Sequence, residues 1–154
     1  MAPTKTDNTI KALTDSLNGL LADCFALYLK TKNFHWHVRG PQFRDLHLLF
    51  DEQAAEIFAL TDLIAERVRK NGAQTLTSIG AIAGHSRIKD QDDAALSAEQ
   101  MIAELAQDNR TLVTVLREVK EAAGAAGDNA TEGAVDDWTD QAQQRIWFLS
   151  SLLQ

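Results

Sequence analysis

Histidine and carboxylate side chains gather in one stretch of the chain, residues 32–66. Three of the four histidines lie in this stretch, and several aspartates and glutamates accompany them. Imidazole nitrogen together with carboxylate oxygen is a ligand set that suits iron, manganese or zinc. The stretch therefore predicts a metal site, for which it offers His35, His37, His47, Asp51, Glu52, Glu56, Asp62 and Glu66.

Helical spacing divides these candidates into two groups. Apolar residues recur at helical intervals from about Asp45 onward, so His47 and Asp51 are one turn apart and can face the same way. Asp62 and Glu66 form a second pair with the same spacing. Asp62 follows His47 by fifteen residues, which is about 22 Å along a helix that rises roughly 1.5 Å per residue. One ion cannot contact both pairs within the same chain.

The separation predicts two half-sites on one helix. His35 can approach His47, because Gly40 and Pro41 allow the chain to reverse between them. A second copy of the chain that runs antiparallel to the first would bring its carboxylate pair to the histidines. A twofold dimer interface supplies that arrangement and gives two equivalent sites.

The same residues closely resemble the pattern of the Dps proteins, the mini-ferritins named as DNA-binding proteins from starved cells. The resemblance rests on the spacing of the candidate ligands and on the segments FHWHVRGP and DLIAERV, and it covers nearly the whole chain. It implies an iron-oxidation site shared between two subunits, with two iron ions per site. It also implies that Trp36 and Lys32 flank the site and tune it without binding metal. The ligands that it implies are His35, His47, Asp51, Asp62 and Glu66.

The resemblance also implies an assembly and a reaction. Twelve subunits would form a hollow shell with tetrahedral symmetry, and ferric mineral would be stored inside it. The chain would be a ferroxidase that oxidises Fe(II), with hydrogen peroxide preferred over dioxygen. Two adjacent ferrous ions can deliver two electrons to one peroxide, which avoids the release of hydroxyl radical. Such iron storage and detoxification would protect DNA from oxidative damage without contact with it.

The rest of the sequence does not predict a second metal site inside the helix bundle. Ordinary ferritins and related di-iron proteins build their site inside one bundle from Glu-x-x-His motifs. No glutamate of this chain is followed by histidine three residues later, and the predicted third and fourth helices contain no histidine. These observations favour a site at the dimer interface. We expect His37 to face solvent or an interface, and His85 to have a structural role.

The composition indicates one helical domain. The chain has 154 residues, of which 45% are hydrophobic and 24% charged, with only two prolines. The single cysteine, Cys24, excludes an internal disulfide and is expected to be a small buried hydrophobic residue. No apolar run approaches the ~18 residues of a membrane span, and the first residues lack a signal-like apolar core. We therefore expect a cytoplasmic protein, which could associate with the nucleoid.

The hydrophobic periodicity predicts an all-α, ferritin-like four-helix bundle in residues 9–154, after a short flexible tail at residues 1–8. Residues 73–96 are predicted to form a long crossover between the second and third helices, with a short extra helix at residues 79–83. The four long helices are expected from Asn8 or Thr9 to Val38, Asp45 to Asn71, Ser97 to Ala123, and Thr131 to Leu152. Ser97 with Gln100 is expected to form a capping box at the start of the third helix. The fourth helix is expected to bury Val135, Trp138, Ala142, Ile146, Leu149 and Leu152.

An acidic row lies near the C-terminus, with successive members four residues apart. Its members are Asp128, Glu132, Asp136 and Asp140. One interpretation is a solvated helix face, with Asp128 near the helix start, where a negative charge is favoured. The other is a pore for cation uptake around a threefold axis, because members of the Dps family have acidic pores in this region. The sequence leaves both interpretations open.

The charge of the chain bears on an alternative function, that of a nucleoid-associated protein that binds and compacts DNA. A net charge of −7 argues against DNA binding through the general surface. Dps proteins that bind DNA directly usually use a basic flexible tail. The N-terminal tail here offers Lys5, and Lys11 is already in the first helix. We therefore expect DNA binding to be weak or absent. A third possibility, a metal-free helical scaffold, would make the ligand spacing a coincidence.

Overall fold

The computed structural model describes residues 5–154, with side chains from Asp7 onward, and these residues form five α-helices without a strand. Helices α1, α2, α4 and α5 make a four-helix bundle, and the short α3 lies in the crossover between α2 and α4, which confirms the predicted fold class. The helices are α1 (Lys5–His37), α2 (Phe43–Lys70), α3 (Ile79–His85), α4 (Ala98–Ala126) and α5 (Asn129–Ser151).

The helix boundaries differ from the prediction mainly at the N-terminus. Helix α1 begins at Lys5, three residues before the earlier predicted start at Asn8. Residues 1–4 of the predicted tail, and the side chain of Lys5, lie outside the described residues. The capping box predicted for Ser97 and Gln100 is confirmed, because each side chain bonds to the other's backbone. None of the described helices is long and apolar enough to cross a membrane.

Two glycines bracket α2. Gly40 has a φ of 113° and Gly72 a φ of 85°, a left-handed backbone conformation that glycine adopts readily. Gly40 lies in the tight turn in which α1 ends and α2 begins, and its carbonyl accepts a hydrogen bond from the amide of Phe43 at 3.0 Å. The chain therefore reverses where the sequence predicted, and the end of α1 lies beside the start of α2.

Polar side chains of α1 hold the long crossover against the bundle. Asn18 donates to the carbonyl of Gln74 at 3.0 Å, Lys30 to that of Lys89 at 3.1 Å, and Asn33 to that of Gln91 at 2.9 Å. Loop carbonyls need such partners, because an unsatisfied backbone group away from water is costly. Residues 73–96 are thus attached along much of α1, up to the turn that precedes His35.

The buried face of α5 differs from the prediction at two positions. Leu152 is 39% exposed, because it follows the last helical residue and extends beyond the packed part of the bundle. Arg145 is only 1% exposed, one residue before the half-buried Ile146. Its guanidinium donates to Asn109 Oδ1 at 2.8 Å and to Glu56 Oε2 at 3.3 Å. These acceptors allow a charged side chain to occupy the bundle interior.

Candidate functional site

Two histidines, one at the end of α1 and one near the start of α2, are held together by reciprocal hydrogen bonds and ring stacking. Nδ1 of His35 donates to the backbone carbonyl of His47 at 2.6 Å, and Nδ1 of His47 donates to the carbonyl of His35 at 2.7 Å. The rings stack with their centroids 3.9 Å apart and their planes 12° from parallel. A carbonyl only accepts, so each Nδ1 carries the proton in these bonds and each Nε2 keeps a lone pair. Both imidazoles are therefore prepared as metal ligands.

Asp51 completes what we call the histidine half-site, which consists of His35, His47 and Asp51. Its Oδ1 lies 3.8 Å from Nε2 of His35. A divalent ion about 2.1 Å from each atom would span that gap with a bent N–metal–O angle. A hydrogen bond from Lys32 lowers the pKa of Asp51, and the positive charge of the same ammonium lowers it further. The carboxyl group is therefore an anion at neutral pH, as a metal ligand must be.

Lys32 lies beside the histidine half-site, and Trp36 lies beside Lys32. Nζ of Lys32 lies 2.7 Å from Oδ1 of Asp51, the same oxygen atom that faces His35. The same ammonium lies 5.9 Å from the centre of the Trp36 ring, within reach of a cation–π interaction. Trp36 itself is 57% exposed.

The carboxylate half-site, Asp62 and Glu66, lies far along the same helix. Both side chains are exposed and one turn apart on α2, and Asp62, the nearer of the two, lies about 22 Å beyond His47 at roughly 1.5 Å per residue. Within residues 5–154 of one chain, no three His, Cys, Asp or Glu side chains converge closely enough to hold a metal ion. The structure brings His35, His47 and Asp51 together and keeps Asp62 and Glu66 apart from them.

One face of α2 connects the two half-sites. Leu48, Asp51, Ala55, Phe58 and Asp62 follow each other at intervals of three or four residues, and all five are exposed. Leu48 is 45% exposed and Phe58 is 50% exposed, although both are large and apolar. Exposed apolar side chains between charged residues are typical of a surface that another protein covers. We call this stripe the α2 face.

The other histidines and the cysteine lie outside both half-sites. His37 is exposed, and its Nδ1 donates to the carbonyl of Asn33 at 2.9 Å. His85 is exposed on α3, where its Nδ1 donates to the carbonyl of Ala81 at 2.8 Å. Cys24 is fully buried, and burial raises the pKa of its thiol to about 12. The prediction that Cys24 is a buried hydrophobic residue is confirmed.

Asp128, the first member of the acidic row, has internal partners. It caps the N-terminus of α5 by accepting a hydrogen bond from the amide of Thr131 at 3.1 Å. Both of its oxygens lie 2.8 Å from Nη2 of Arg67, and Asn71 donates to it at 2.9 Å. Burial acts to raise the pKa of Asp128, but these hydrogen bonds outweigh it and hold the pKa well below its usual range. Asp128 therefore has a structural role: it caps α5 and joins the start of that helix to the end of α2.

The rest of the acidic row is more accessible. Asp136 pairs with Lys120 at the surface, Glu132 is half-buried, and Asp140 is exposed. The pore at Asp128, Glu132, Asp136 and Asp140 stays a prediction.

The chain is similar to known proteins over nearly its whole length. A family model for the ferritin-like domain matches residues 14–154. A low temperature-induced protein of Nostoc sp. is 33% identical over 150 residues, which cover 97% of this chain and 84% of that protein. A DNA protection during starvation protein of Brevibacillus brevis is 32% identical over 138 residues, which cover 90% of this chain and 92% of the relative.

Solved structures give the same result. Dps from Thermosynechococcus elongatus superposes with a TM-score of 0.95 at 30% identity, over 98% of this chain and 96% of that one. The Dps protein from Vibrio cholerae O1, described as a member of a broad superfamily of ferritin-like diiron-carboxylate proteins, superposes with a TM-score of 0.90 at 25% identity. That match covers 100% of this chain and 98% of the other.

Proposed function

The chain belongs to the Dps proteins of the ferritin-like family, and from that premise we propose that it is a ferroxidase whose iron site is shared between two subunits. Membership of a diiron-carboxylate superfamily makes iron storage and the protection of DNA its general role. The proposal adds the location of the site, its ligands and the oxidant.

The observation that carries the proposal is the division of ligands along α2. The histidine half-site has two prepared imidazoles and one carboxylate, and Asp62 and Glu66 lie about 22 Å away on the same helix. The α2 face between them exposes Leu48 and Phe58, which a second copy could cover. An antiparallel second copy would place its Asp62 and Glu66 at the histidines of the first, and a twofold axis would make both sites equivalent.

The ligand types suggest roles for the residues. His35 and His47 are neutral when each donates through Nδ1, and they would anchor one Fe(II) through Nε2. Asp51, with Asp62 and Glu66 from a second copy, would supply oxygens for a second Fe(II) beside it. The iron is the substrate: two Fe(II), one hydrogen peroxide and two protons give two Fe(III) and two waters. The paired transfer explains why we propose peroxide as the preferred oxidant.

Subunit mixing tests the shared site. His47→Ala and Glu66→Ala should each abolish rapid oxidation, because every site then contains one lesion. When the two variants are unfolded and reassembled in equal amounts, about half of the dimers pair one of each. In such a dimer one site collects both lesions and the other has none, so roughly a quarter of all sites should oxidise Fe(II) again. The measurement is the initial rate of ferric absorbance after peroxide is added to anaerobically loaded protein.

A matched mixture provides the control. His35→Ala mixed with His47→Ala should stay inactive, because both lesions fall in the same half-site and every site keeps one. Recovery in this control would contradict the shared site. So would the absence of recovery in the first mixture, once mass spectrometry has confirmed that subunits exchange.

We extend the proposal to the assembly, a dodecameric shell in the cytoplasm. An acidic pore for iron uptake would involve Asp128, Glu132, Asp136 and Asp140. The test leaves Asp128 intact, because this residue also caps α5 and its loss would destabilise the helix. The triple variant Glu132→Gln, Asp136→Asn and Asp140→Asn should take up iron more slowly at low iron concentration and bind it equally well at the ferroxidase site. An unchanged uptake rate would assign the row to a solvated helix face.

We also propose that the shell protects DNA by removing Fe(II) and peroxide rather than by stable binding. The net charge of −7 opposes contact with phosphates, which is mainly electrostatic. A gel-shift assay with plasmid should show no stable complex at ~150 mM salt. Retarded plasmid at that salt concentration would instead support a nucleoid-associated DNA-binding role.

A further inference from the structure

The chain contains two asparagine–glycine pairs, Asn18–Gly19 and Asn71–Gly72. This dipeptide is prone to spontaneous deamidation, because glycine has no side chain to obstruct ring closure. The backbone nitrogen of the glycine loses its proton and attacks the side-chain carbonyl carbon of the asparagine, and ammonia leaves. Water then opens the five-membered succinimide to aspartate or isoaspartate. One water is consumed for each ammonia released, and no oxidant or enzyme is needed.

The two pairs have different backbone surroundings. Asn18 and Gly19 lie inside α1, where the amide of Gly19 belongs to the helical hydrogen bonds. A Cβ added to Gly19 would lie 3.0 Å from Nη2 of Arg87, so the space beside this pair is occupied. Gly72 lies beyond the end of α2, is exposed, and has no atom within 4 Å of an added Cβ. Ring closure therefore requires α1 to unwind at the first pair, whereas the second pair lies outside a helix.

The native contacts of Asn71 keep it out of the reactive geometry. Its ψ is 9°, so the nitrogen of Gly72 is eclipsed with the backbone nitrogen of Asn71 and not with its Cβ. Rotation about ψ would break the hydrogen bond from the amide of Gly72 to the carbonyl of Arg69, at 3.0 Å. The side chain is fixed as well, because its Nδ2 donates to Oδ2 of Asp128 and to the carbonyl of Arg67, both at 2.9 Å.

We propose that Asn71 is a site of spontaneous deamidation, and that its contact with Asp128 sets the rate. While the contact is closed, the side chain is held and the pair does not react. When the end of α2 separates from α5, Asn71 can rotate and cyclise, and the change is permanent. The modification thus records the openings of this junction, whereas Asn18 reacts only when α1 unwinds. This inference does not depend on the iron site.

The product weakens the contact that delayed its formation. Asn71 donates to Asp128, but a carboxylate at this position only accepts, so a second anion would face the carboxylate of Asp128. Isoaspartate also adds a carbon atom to the main chain directly after α2, where the amides of Asn71 and Gly72 close the last turn of the helix. A modified chain therefore carries an additional negative charge and cannot restore the original junction.

Deamidation in heavy-oxygen water tests the proposal, because each carboxyl group formed during incubation takes up the label and those formed later, during digestion, do not. The assembled protein is incubated at mildly alkaline pH, and mass spectrometry of the two peptides gives both rates. We expect Asn71 to convert while Asn18 stays unmodified, and both to convert at similar rates in denaturant. Equal rates in the folded protein would overturn the proposal. So would an unmodified Asn71 after a time in which the unfolded chain converts.

Asp128→Ser separates the contact from general stability. Serine retains the cap of α5, but its shorter side chain removes the acceptor of Asn71. Deamidation at Asn71 should become about tenfold faster, the effect of losing one hydrogen bond to a charged acceptor, and Asn18 should stay unmodified. Asp136→Ser is the matched control on the same helix, since Asp136 pairs with Lys120, and it should leave both rates unchanged.

Two results with Asp128→Ser would contradict the proposed control by this contact. An unchanged rate at Asn71 would show that the bond to Asp128 does not limit the reaction. An equal acceleration at Asn18 would show that the variant unfolds more often as a whole, because the two asparagines lie in different helices and share no contact with Asp128.

Discussion

The two ends of α2 are built in different ways. At the first end, His47 and Asp51 are fixed by contacts with α1 inside one chain. At the second end, Asp62 and Glu66 place two like charges one turn apart. Among the side chains that the structure describes, from Asp7 onward, neither has a hydrogen-bond or ion-pair partner. Like charges at this spacing repel by a few tenths of a kcal/mol. Only one end is therefore organised before a second copy or a metal ion arrives.

The second end is nevertheless firmly attached to the bundle. Arg67, next to Glu66 in α2, and Asn71, which follows the last residue of that helix, both bind Asp128 at the start of α5. The backbone there is fixed through these residues, while Asp62 and Glu66 remain exposed. The comparison shows that the side chain of a site residue can lack hydrogen-bond partners although its backbone belongs to a well-anchored helix. Three sets of variants test it, in order of their expected effect on stability.

Asp128→Ala should have the largest effect, a loss of about 2–3 kcal/mol in the free energy of unfolding, because it removes a helix cap and leaves Arg67 unpaired in a mostly buried position. The folded pKa of Asp128 lies below its unfolded value, so its contribution is complete above the ordinary aspartate pKa of about 3.9. The contribution is lost as the pH falls towards the folded pKa. Denaturant titrations of the unmodified protein and of Asp128→Ala, at pH 7 and at acidic pH, measure the loss of stability and its dependence on pH.

The control for Asp128 is Asp136→Ala, which removes an exposed pair with Lys120. Exposed pairs contribute little, so its effect should stay within about 0.5 kcal/mol. Equal losses in the two variants would show that the attachment of Arg67 to Asp128 is no stronger than an ordinary surface pair.

Gly40→Ala and Gly72→Ala form a matched pair at the two ends of α2. Both glycines have positive φ and no atom within 4 Å of an added Cβ, so each substitution should cost about 1–2 kcal/mol through backbone strain alone. Only Gly40→Ala disturbs the turn between α1 and α2 that places His35 beside His47. It should weaken anaerobic Co(II) binding, while Gly72→Ala should leave that binding unchanged. Equal affinities in the two variants would mean that the turn does not prepare the imidazoles.

Asp62→Asn should have the smallest effect on stability and the opposite sign. It removes the repulsion with Glu66, so the free energy of unfolding should rise by a few tenths of a kcal/mol while rapid Fe(II) oxidation is lost. Asp45→Asn is the control, since Asp45 lies in the first turn of α2, where a negative charge is favourable. It should lower stability by a few tenths of a kcal/mol. A fall in stability for Asp62→Asn would reveal a stabilising contact of this carboxylate.

The features that the sequence predicted are those that depend on local spacing. Helical periodicity, the reversal at Gly40, the capping box at Ser97 and the approach of His35 to His47 all follow from residues close together in the chain. They are also the features that organise the histidine half-site. The antiparallel pairing of two copies extends this reasoning beyond one chain, and it stays a prediction.

The features that the sequence did not predict depend on distant polar groups that meet only in the folded chain. Asp128 binds Arg67 across 61 residues. The fully buried Asp23 binds Arg87 across 64 residues. Arg145 looked like a surface residue by composition, although it falls within the apolar spacing of α5. Its burial depends on acceptors from two other helices, and no local pattern identifies them.

The buried thiol of Cys24 bears on how well the protein withstands its own chemistry. Peroxide attacks the thiolate, and a pKa raised to about 12 by burial keeps the Cys24 thiol protonated at neutral pH. Met101 is also fully buried, so both described sulfur atoms are shielded from solvent. Neither can readily become a sulfenic acid or a sulfoxide that would disrupt the core. The sulfur atoms of Cys24 and Met101 should therefore resist oxidation as long as the bundle stays folded.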